Sequence, residues 1–336
     1  MGLHGGAERI GATVIPASTG NTARQITMLQ DYGSTMLCCT PSYALYIGET
    51  LEKNHIPLST IHLKAGLFGA EPWTLGMKEE IEKRLGIKAY DIYGLSEICG
   101  PGVSFGCDGS DGLHVNDDHF LIEIVDPVTG KVLPDGEKGE VVFTTLTKRA
   151  LPLLRYNTHD ISSITHERCA CGRTLTRMAR ITGRSDDMLI IRGVNVFPSQ
   201  IESVLLSVGQ VEPYYMILVD RVNNLDVMEI KVELSADAFS DRVRGIEELE
   251  AKIRASIEST LGISAKVTFV EPSSLPRSEG KAKRIIDKAT QALKAREAAR
   301  IDAEANRISR ERAARGNVSA QGGEASATAT RPNDRT

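Results

Sequence analysis

The arrangement of apolar residues along the chain changes twice, and these changes limit the folds that the chain can adopt. Between residues 9 and 90, short apolar runs alternate with segments that have helical spacing. Thr13–Pro16 and Thr35–Cys39 are predicted to be buried strands, and Tyr43–Lys53 and Leu75–Leu85 are predicted to be helices. Because strands that alternate with helices usually run in the same direction, this order predicts a mostly parallel α/β sheet.

From residue 112 to residue 160 the apolar residues recur with a period of two. The strand-like run Phe120–Val125 is followed by turn residues, and Val132–Leu133 and Val141–Thr144 are again strand-like. Short alternating strands joined by turns predict antiparallel β-structure, which we expect to form a small barrel-like subdomain.

A second domain is predicted after Gly183. Its predicted elements are a helix Pro198–Leu206, strands Tyr214–Val219 and Val227–Leu234 joined by a turn at Asn223–Asn224, a long helix with an apolar stripe from Val243 to Leu261, and a strand Val267–Val270. We therefore divide the chain into an N-terminal domain at 1–183, a small α+β domain at 184–290, and a charged helix with a disordered tail at 291–336.

Composition excludes several classes of protein. A net charge of −4 gives no sign of a protein that binds nucleic acid or a membrane surface, and no apolar stretch is long enough to cross a bilayer. The six cysteines in 336 residues do not form a disulfide pattern, and no signal peptide is visible. We therefore expect a cytoplasmic protein.

Two polar stretches of the N-terminal domain have the chemistry of a ligand site. The run Tyr93-Gly94-Leu95-Ser96-Glu97 follows an apolar strand, and α/β sheets bind ligands at the carboxyl ends of their strands. Ser96 could equally be the N-cap of a helix with an acidic first turn. Asp160 could accept two hydrogen bonds from a ribose diol, although this stretch alone favours an aspartate that closes a β-turn.

Two more stretches lie at the predicted domain boundary and near the end of the small domain. Residues 183–195 place polar, turn-prone residues before an apolar strand, which is typical of a hinge or of an ordinary exposed linker. Lys281 lies in a glycine-containing basic loop and is suited to binding a phosphate or a carboxylate. A basic loop on a solvated face is the commoner explanation of such a string.

These four stretches occur in an order that is typical of one group of enzymes. In this order and near these spacings, they resemble the adenylate-forming superfamily of acyl-CoA synthetases. Further segments make the chain similar, within that superfamily, to phenylacetate–CoA ligases over residues 2 to 290. These segments are Gly20-Asn21-Thr22, Thr40-Pro41-Ser42-Tyr43, Gly69-Ala70-Glu71-Pro72-Trp73, Gly100-Pro101-Gly102, Asp111-Gly112-Leu113-His114 and Arg192-Gly193-Val194-Asn195-Val196-Phe197-Pro198.

The resemblance implies the adenylate-forming fold and a reaction in two halves. ATP and phenylacetate would form an acyl-adenylate, and the thiol of coenzyme A would then displace AMP. By the same resemblance, Glu97 would bind Mg²⁺ and Ser96 would approach the α-phosphate. The adenine slot would be lined by Gly69, Ala70, Glu71 and Tyr93. Asp160 would hold the ribose hydroxyls, with Arg184 near the ribose and phosphate.

The resemblance also assigns roles to the small domain. Asp186 would be the hinge on which this domain rotates between the two half-reactions. Lys281 would bridge the acid and the α-phosphate in the first half-reaction. The loop that would close over coenzyme A consists of Arg192, Gly193, Val194 and Asn195. Whether the protein forms a homodimer is left open.

Two pairs of residues could together form a zinc site. Cys169 and Cys171 supply two thiols in a Cys-Ala-Cys-Gly run, and Cys107 and His114 have suitable chemistry for the other half. Structural zinc takes four such ligands, but no spacing rule connects the two pairs. Free buried thiols are the alternative interpretation.

The chain departs from the family pattern at its start. Nothing in it matches the family's Ser/Thr/Gly-rich loop that cradles the β- and γ-phosphates, so we interpret it as a truncated reading frame, a partial gene or one half of a split protein. Such a sheet should have an unpaired edge and exposed apolar surface. Alternative functions are therefore an inactive remnant that binds only AMP or coenzyme A, and a ligase for another aryl acid.

Overall fold

The computed structural model describes residues 2–18, 20–186, 188–192, 194–222, 225–235, 238, 243–278 and 281–288. The helices are α1 (Gly2–Arg9), α2 (Thr22–Asp31), α3 (Pro41–Lys53), α4 (Leu75–Leu85), α5 (Pro198–Val208) and α6 (Val243–Leu261), with a 3₁₀ turn at Leu58–Thr60. The strands are β1 (Met36–Cys39), β2 (Ala65–Gly69), β3 (Lys88–Tyr93), β4 (Ser104–Cys107), β5 (Ser110–Val115), β6 (Phe120–Val125), β7 (Gly139–Thr145), β8 (Tyr156–Ser162), β9 (Ile164–Thr165), β10 (Arg177–Met178), β11 (Gly183–Arg184), β12 (Leu189–Ile191), β13 (Val194–Val196), β14 (Val211–Val222), β15 (Leu225–Leu234), β16 (Lys266–Val270) and β17 (Ile285–Asp287).

The first sheet has the order β1-β2-β3-β4-β5-β10-β9. Its first three strands are parallel and the others are antiparallel, so the predicted parallel sheet is confirmed for β1 to β3. Helix α4, which connects the parallel strands β2 and β3, shows why such a connection is helical. Its buried residues Met77, Ile81 and Leu85 recur every four residues, Thr74 caps its first turn, and Gly86 ends it with φ 64°.

Strand β1 forms one edge of this sheet as described. Met36 on this strand is 52% exposed and Cys38 is also exposed.

The second sheet has the order β11-β8-β7-β6 and is antiparallel throughout. It shares one apolar core with the antiparallel half of the first sheet, since β5, β9 and β10 pack against β6 and β7. Among the residues that form this core are Leu113, Phe120, Phe143 and Met178. The predicted antiparallel subdomain is therefore confirmed.

The C-terminal part of the chain forms a third sheet, with the order β16-β15-β14-β17. Helices α5 and α6 contribute to one core with this sheet, and Leu249, Ile253, Ile257 and Leu261 of α6 are buried in it as the apolar stripe predicts. The domain boundary at 183/184 stays a prediction, although the residues of this core all follow it.

Two predicted strands are wrong. Residues 12 to 18 contain no regular element, and Thr13–Pro16 pairs with no strand among the described residues. Val132 makes only an isolated bridge with Val125. The turn at Asn223–Asn224, and the helix and tail predicted at 291–336, lie outside the described residues. No described helix has the length and apolar character needed to span a bilayer.

Candidate active site

The carboxyl end of β3 and the middle of β8 meet through a tyrosine and an aspartate. The Tyr93 hydroxyl donates a hydrogen bond to Oδ2 of Asp160 over 2.5 Å, and the Tyr93 ring stacks on Phe143. Burial raises the pKa of Asp160, while the hydrogen bond from Tyr93 and the charge of Arg184 oppose this rise. Asp160 lies within a strand, so the alternative that it closes a β-turn is wrong.

Arg184 lies beside Asp160 because β11 pairs with β8 in that register. Its guanidinium donates two hydrogen bonds to the Asp186 carboxylate, of 2.8 and 2.7 Å. The hydrogen bond from Arg184 lowers the pKa of Asp186. The structure therefore brings the predicted ribose, phosphate and hinge residues together.

Ser96 and Glu97 lie in a tight turn directly after β3, and both are exposed. The Leu95 carbonyl accepts hydrogen bonds from the amides of residues 98, 99 and 100, so the segment is a turn and Ser96 is not a helix N-cap. Gly94 is required here, because a Cβ at this position would lie 1.9 Å from the Gly100 carbonyl oxygen. The Lys148 ammonium donates to the Glu97 carbonyl. Among the described residues, neither the Ser96 hydroxyl nor the Glu97 carboxylate has a hydrogen-bond partner.

Gly69, Ala70 and Glu71 lie at the carboxyl end of β2, beside the end of β3. Gly69 allows the two strands to approach, because a Cβ there would lie 2.1 Å from the Ile92 carbonyl oxygen. The Glu71 carboxylate accepts hydrogen bonds from the amides of Ser42, over 2.7 Å, and Ala282, over 2.9 Å. Glu71 thus connects α3 to the segment that carries Lys281.

Lys281 is exposed, and its carbonyl accepts a hydrogen bond of 2.9 Å from the Ser278 hydroxyl. Its neighbour Ala282 is fixed to Glu71, so the Lys281 segment lies at the sheet edge where β2 and β3 end. The buried Arg284 guanidinium contacts the Tyr215 hydroxyl, over 2.8 Å, and the Glu202 carboxylate. The basic loop is thus only partly on a solvated face.

The predicted coenzyme A loop lies apart from these residues. Arg192 donates hydrogen bonds to the Asp226 carbonyl and the Ser264 hydroxyl, both in the C-terminal part of the chain. Val194 and Asn195 pair with β12 in a short hairpin, and Gly193 lies outside the described residues. No described hydrogen bond or ion pair joins this hairpin to Tyr93, Asp160 or Lys281.

Sequence reasoning missed a buried charge network between the N-terminal part of the chain, which contains the first two sheets, and the C-terminal part, which contains the third sheet. Arg277 donates hydrogen bonds of 2.7 and 2.8 Å to Glu49 of α3, and two more of the same lengths to Glu233 of β15. Its guanidinium also lies 3.5 Å from the centre of the Tyr214 ring. We call Arg277, Glu49 and Glu233 the domain-contact network. The sequence did contain a signal for a buried charge, because Glu49 lies between the apolar residues Ile47 and Leu51 of α3.

A second contact between the two parts is also charged. Arg84 of α4 forms ion pairs with Glu80 on the same helix and with Glu212 of β14. Glu202 of α5 accepts hydrogen bonds from the amide and the hydroxyl of Thr74. The two parts therefore meet through ionic and polar contacts spread along α3 and α4.

The predicted zinc ligands also come together. The ligand atoms of Cys107, His114, Cys169 and Cys171 all lie within 4.8 Å of one another. We call these four residues the cysteine–histidine cluster.

Comparison with known proteins gives the family. The AMP-binding enzyme family model matches residues 6–146, and the model of the AMP-binding enzyme C-terminal domain matches residues 193–289. Phenylacetate-coenzyme A ligase of Thermus thermophilus is 47% identical over 301 residues, covering 85% of this chain and 68% of that protein. The ligase of the same name from Escherichia coli is 48% identical over 289 residues, covering 85% of this chain and 65% of its own length. The chain thus spans about two thirds of the length of these relatives.

Two crystal structures of one ligase allow the arrangement of the two parts of this chain to be compared with known states. The crystal structure of 2-hydroxyisobutyryl-CoA ligase in the postadenylation state matches with a TM-score of 0.81 at 30% identity, covering 88% of this chain and 64% of that one. The same ligase in the thioesterification state gives a TM-score of 0.54 at 30% identity, covering 89% and 64%. The two parts of this chain are therefore arranged more like the postadenylation state. With the family models and relatives above, this fold shows that the chain belongs to the phenylacetate–coenzyme A ligase family of AMP-binding enzymes.

Proposed function

We infer that the chain forms most of an enzyme that joins phenylacetate to coenzyme A, with ATP converted to AMP and pyrophosphate. The carboxylate oxygen of phenylacetate attacks the α-phosphorus of ATP and pyrophosphate leaves. The sulfur of coenzyme A then attacks the acyl carbon and AMP leaves. The observation that carries this proposal is the convergence of the Tyr93–Asp160 pair, Glu71 and the Lys281 segment at the carboxyl ends of β2 and β3.

Asp160 has the chemistry that binding of a ribose diol requires. Tyr93 bonds to Oδ2, and an ionised carboxylate has further lone pairs that would accept hydrogen bonds from the two ribose hydroxyls. Arg184 pairs with Asp160 in the register of β11 on β8, so its charge would stabilise the phosphate next to the ribose. The adenine ring would then lie against Tyr93 and the turn formed by Gly69, Ala70 and Glu71.

Glu97 fits the Mg²⁺ ion that the family implies. Mg²⁺ in nucleotide enzymes is held by one or two carboxylates and by substrate phosphates, and the Glu97 carboxylate is exposed beside Ser96 at the end of β3. When bound, the ion would neutralise charge on the phosphate oxygens. The cysteine–histidine cluster does not suit Mg²⁺, which prefers oxygen ligands.

Lys281 would supply the positive charge between the attacking carboxylate and the α-phosphate. An ammonium fixed there would offset the repulsion between these two anions and the charge that develops on the phosphorus centre. For thioester formation the small domain would rotate about Asp186, which removes Lys281 and brings the Arg192–Asn195 loop over coenzyme A. We further propose a cytoplasmic role in aromatic acid catabolism.

The test is to incubate the purified chain with ATP, Mg²⁺, coenzyme A and phenylacetate, and to measure phenylacetyl-CoA and AMP by mass spectrometry. A longer protein that includes the family's phosphate loop is assayed in parallel. Thioester formed by either protein supports the proposal. Faster turnover of another aryl acid would show that this acid, rather than phenylacetate, is the preferred substrate. Binding of AMP or coenzyme A by both proteins without turnover would favour the inactive remnant.

A further inference from the structure

The geometry points to a structural zinc ion bound by the cysteine–histidine cluster. The His114 Nε2 atom lies 3.3 Å from the Cys107 sulfur and 3.3 Å from the Cys171 sulfur, and the Cys107 and Cys169 sulfurs are 3.7 Å apart. Zinc–sulfur bonds of about 2.3 Å and zinc–nitrogen bonds of about 2.0 Å place tetrahedral ligand atoms roughly 3.5–3.8 Å apart. These three separations are close to those that one central ion requires, and all four ligand atoms lie within 4.8 Å of one another.

The burial of these groups is the second observation. His114 is fully buried and Cys169 is 4% exposed. The described polar contacts of the His114 side chain are made through Nε2 to the two sulfurs, and Nδ1 has no hydrogen-bond partner among the described residues. Thiols are weak hydrogen-bonding groups, so they compensate poorly for the desolvation of the ring. A metal–nitrogen bond at Nε2 would compensate for that loss.

The backbone around the cysteines is shaped for close approach. The Gly172 amide donates to the Cys169 carbonyl over 2.9 Å, and Gly172 has φ +87°, so a tight turn presents Cys169 and Cys171 side by side. On the opposite segment, a Cβ at Gly109 would lie 2.5 Å from the Cys171 amide nitrogen. Glycine at position 109 therefore lets the turn that carries Cys169 and Cys171 approach the segment that carries Cys107 and His114.

The charge around the cluster suits three thiolates. Three thiolates, one neutral imidazole and Zn²⁺ carry a net charge of about −1. The Arg173 guanidinium lies 3.4 Å from the Cys171 sulfur and over the Phe105 ring, where it can offset this charge. A disulfide between Cys107 and Cys169 would use only two of the four groups, and their 3.7 Å separation exceeds the bond length of about 2.05 Å.

The position of the cluster indicates a structural role. Strand β4 is antiparallel to β3, with Ser104 opposite Tyr93, so Cys107 lies three residues away from the nucleotide end of β3. At about 3.3 Å per residue, that separation is roughly 10 Å. With four protein ligands the ion has no open position for substrate. It would join β4 and β5 to the loop before β10, which pairs with β5 at His114.

The experiment measures metal in the 336-residue chain, and its outcome does not depend on ligase activity. The chain is purified with a mild reductant, incubated with Zn²⁺ alone, desalted and analysed by mass spectrometry for metals. We expect about one zinc per chain. Cys169→Ser should lose most of it, whereas Cys38→Ser, a change at an exposed cysteine outside the cluster, should retain it.

Cobalt gives a second readout that does not depend on the stability of the serine variant. Co²⁺ in the apo-protein should give the visible absorption of a tetrahedral ion and sulfur-to-cobalt charge transfer. Cys171→His should keep the tetrahedral bands but lose about a third of the charge-transfer intensity, because one of three thiolates is replaced. Removal of zinc by a chelator should lower the melting temperature, and Zn²⁺ alone should restore it.

Three results would overturn the site. The first is a folded chain that holds less than a tenth of a zinc per molecule after incubation. The second is a Cys169→Ser variant that holds as much zinc as the parent chain. The third is an intact mass showing that Cys107 and Cys169 are joined as a disulfide in the purified protein.

Discussion

The domain-contact network and the candidate nucleotide residues use charge in opposite ways. In the network, Arg277 donates four hydrogen bonds to Glu49 and Glu233, and Glu233 is fully buried. At the end of β3, Ser96 and Glu97 are exposed, as is Lys281. Charges that bond to one another fix the position of two parts of the chain. Charges that face solvent remain available to a ligand.

The network would also make the interface both specific and reversible, if the small domain rotates as proposed. Glu233 and Arg277 both belong to the C-terminal part, whereas Glu49 belongs to α3. Within the network, rotation of the small domain would therefore break the pair with Glu49, and Arg277 would keep Glu233 as its partner. The network favours the arrangement seen here without preventing departure from it.

The largest effect on stability should come from Arg277→Ala. This change leaves the Glu49 and Glu233 carboxylates without their shared cation, and breaking a buried pair in this way costs about 3–5 kcal/mol. The free energy of unfolding, measured by urea titration with the fluorescence of Trp73, the only tryptophan, should fall by that amount. The matched control is Arg221→Ala, which removes an exposed pair with Asp226 and should cost less than about 1 kcal/mol. Equal losses in the two variants would remove the distinction between buried and exposed charge.

Lys281→Ala should show the opposite pattern, with little change in stability. Removing a positioned cation from the reacting centre should slow adenylation roughly 10²–10³-fold. Thioester formation from supplied phenylacetyl-adenylate should change far less. Both half-reactions are measured in single turnovers, in whichever protein proves active. Lys283→Ala, an exposed neighbour, serves as the control, and equal losses in both half-reactions would contradict the role of Lys281.

Asp160→Asn should weaken nucleotide binding. The amide lacks the negative charge, and a hydrogen bond to a charged group contributes about 1.5–3 kcal/mol, so the dissociation constant of AMP should rise roughly 10- to 150-fold. Isothermal titration calorimetry on the chain as given measures this directly. Asp135→Asn, at an exposed aspartate paired with His166, should leave AMP affinity unchanged. Unchanged affinity in Asp160→Asn would separate this residue from the ribose site.

The last expected effect is the pH dependence of stability contributed by Glu49. Burial raises the pKa of Glu49, but hydrogen bonds from Arg277 and Lys53 outweigh it and hold the pKa at about 2, below the usual 4.5. A lowered pKa stabilises the folded state above the usual value, and this stabilisation is lost as the pH falls from about 4.5 toward 2. The unfolding free energy of the parent should therefore fall more steeply over that range than that of Glu49→Gln. If the two proteins gave parallel curves of unfolding free energy against pH, protonation of Glu49 would not be coupled to folding.

Local patterns predicted most of the fold, and they failed where an element needs a distant partner. The α6 stripe and the helix Leu75–Leu85 were confirmed because a helix forms its hydrogen bonds within itself. Thr13–Pro16 has the composition of a strand, but a strand requires a neighbour, and no described strand pairs with residues 12 to 18. Ser96 follows helix-capping rules, yet the amides of the next turn bond to Leu95 instead.

For a similar reason, the residues of the candidate site were predicted but the contacts between them were not. Motif resemblance named Tyr93 and Asp160, but the hydrogen bond between them depends on how β3 and β8 pack across the shared core. Sequence alone could not relate Glu49 to Arg277, because 228 residues separate them and neither occurs in a recognisable pair. The roles of Ser96, Glu97, Asp186 and Lys281 in the reaction stay predictions.

By itself, the sequence determined the helices that were predicted, the change from parallel to antiparallel strands, the family and the residue types that the chemistry requires, because these depend on periodicity and on short motifs. The tertiary structure decided which of those residues meet. It brought Cys107 and His114 to Cys169 and Cys171, and it placed Ala282, the neighbour of Lys281, on Glu71. Such contacts depend on strand register and on how two parts of the chain pack together, and neither property can be read from one local segment.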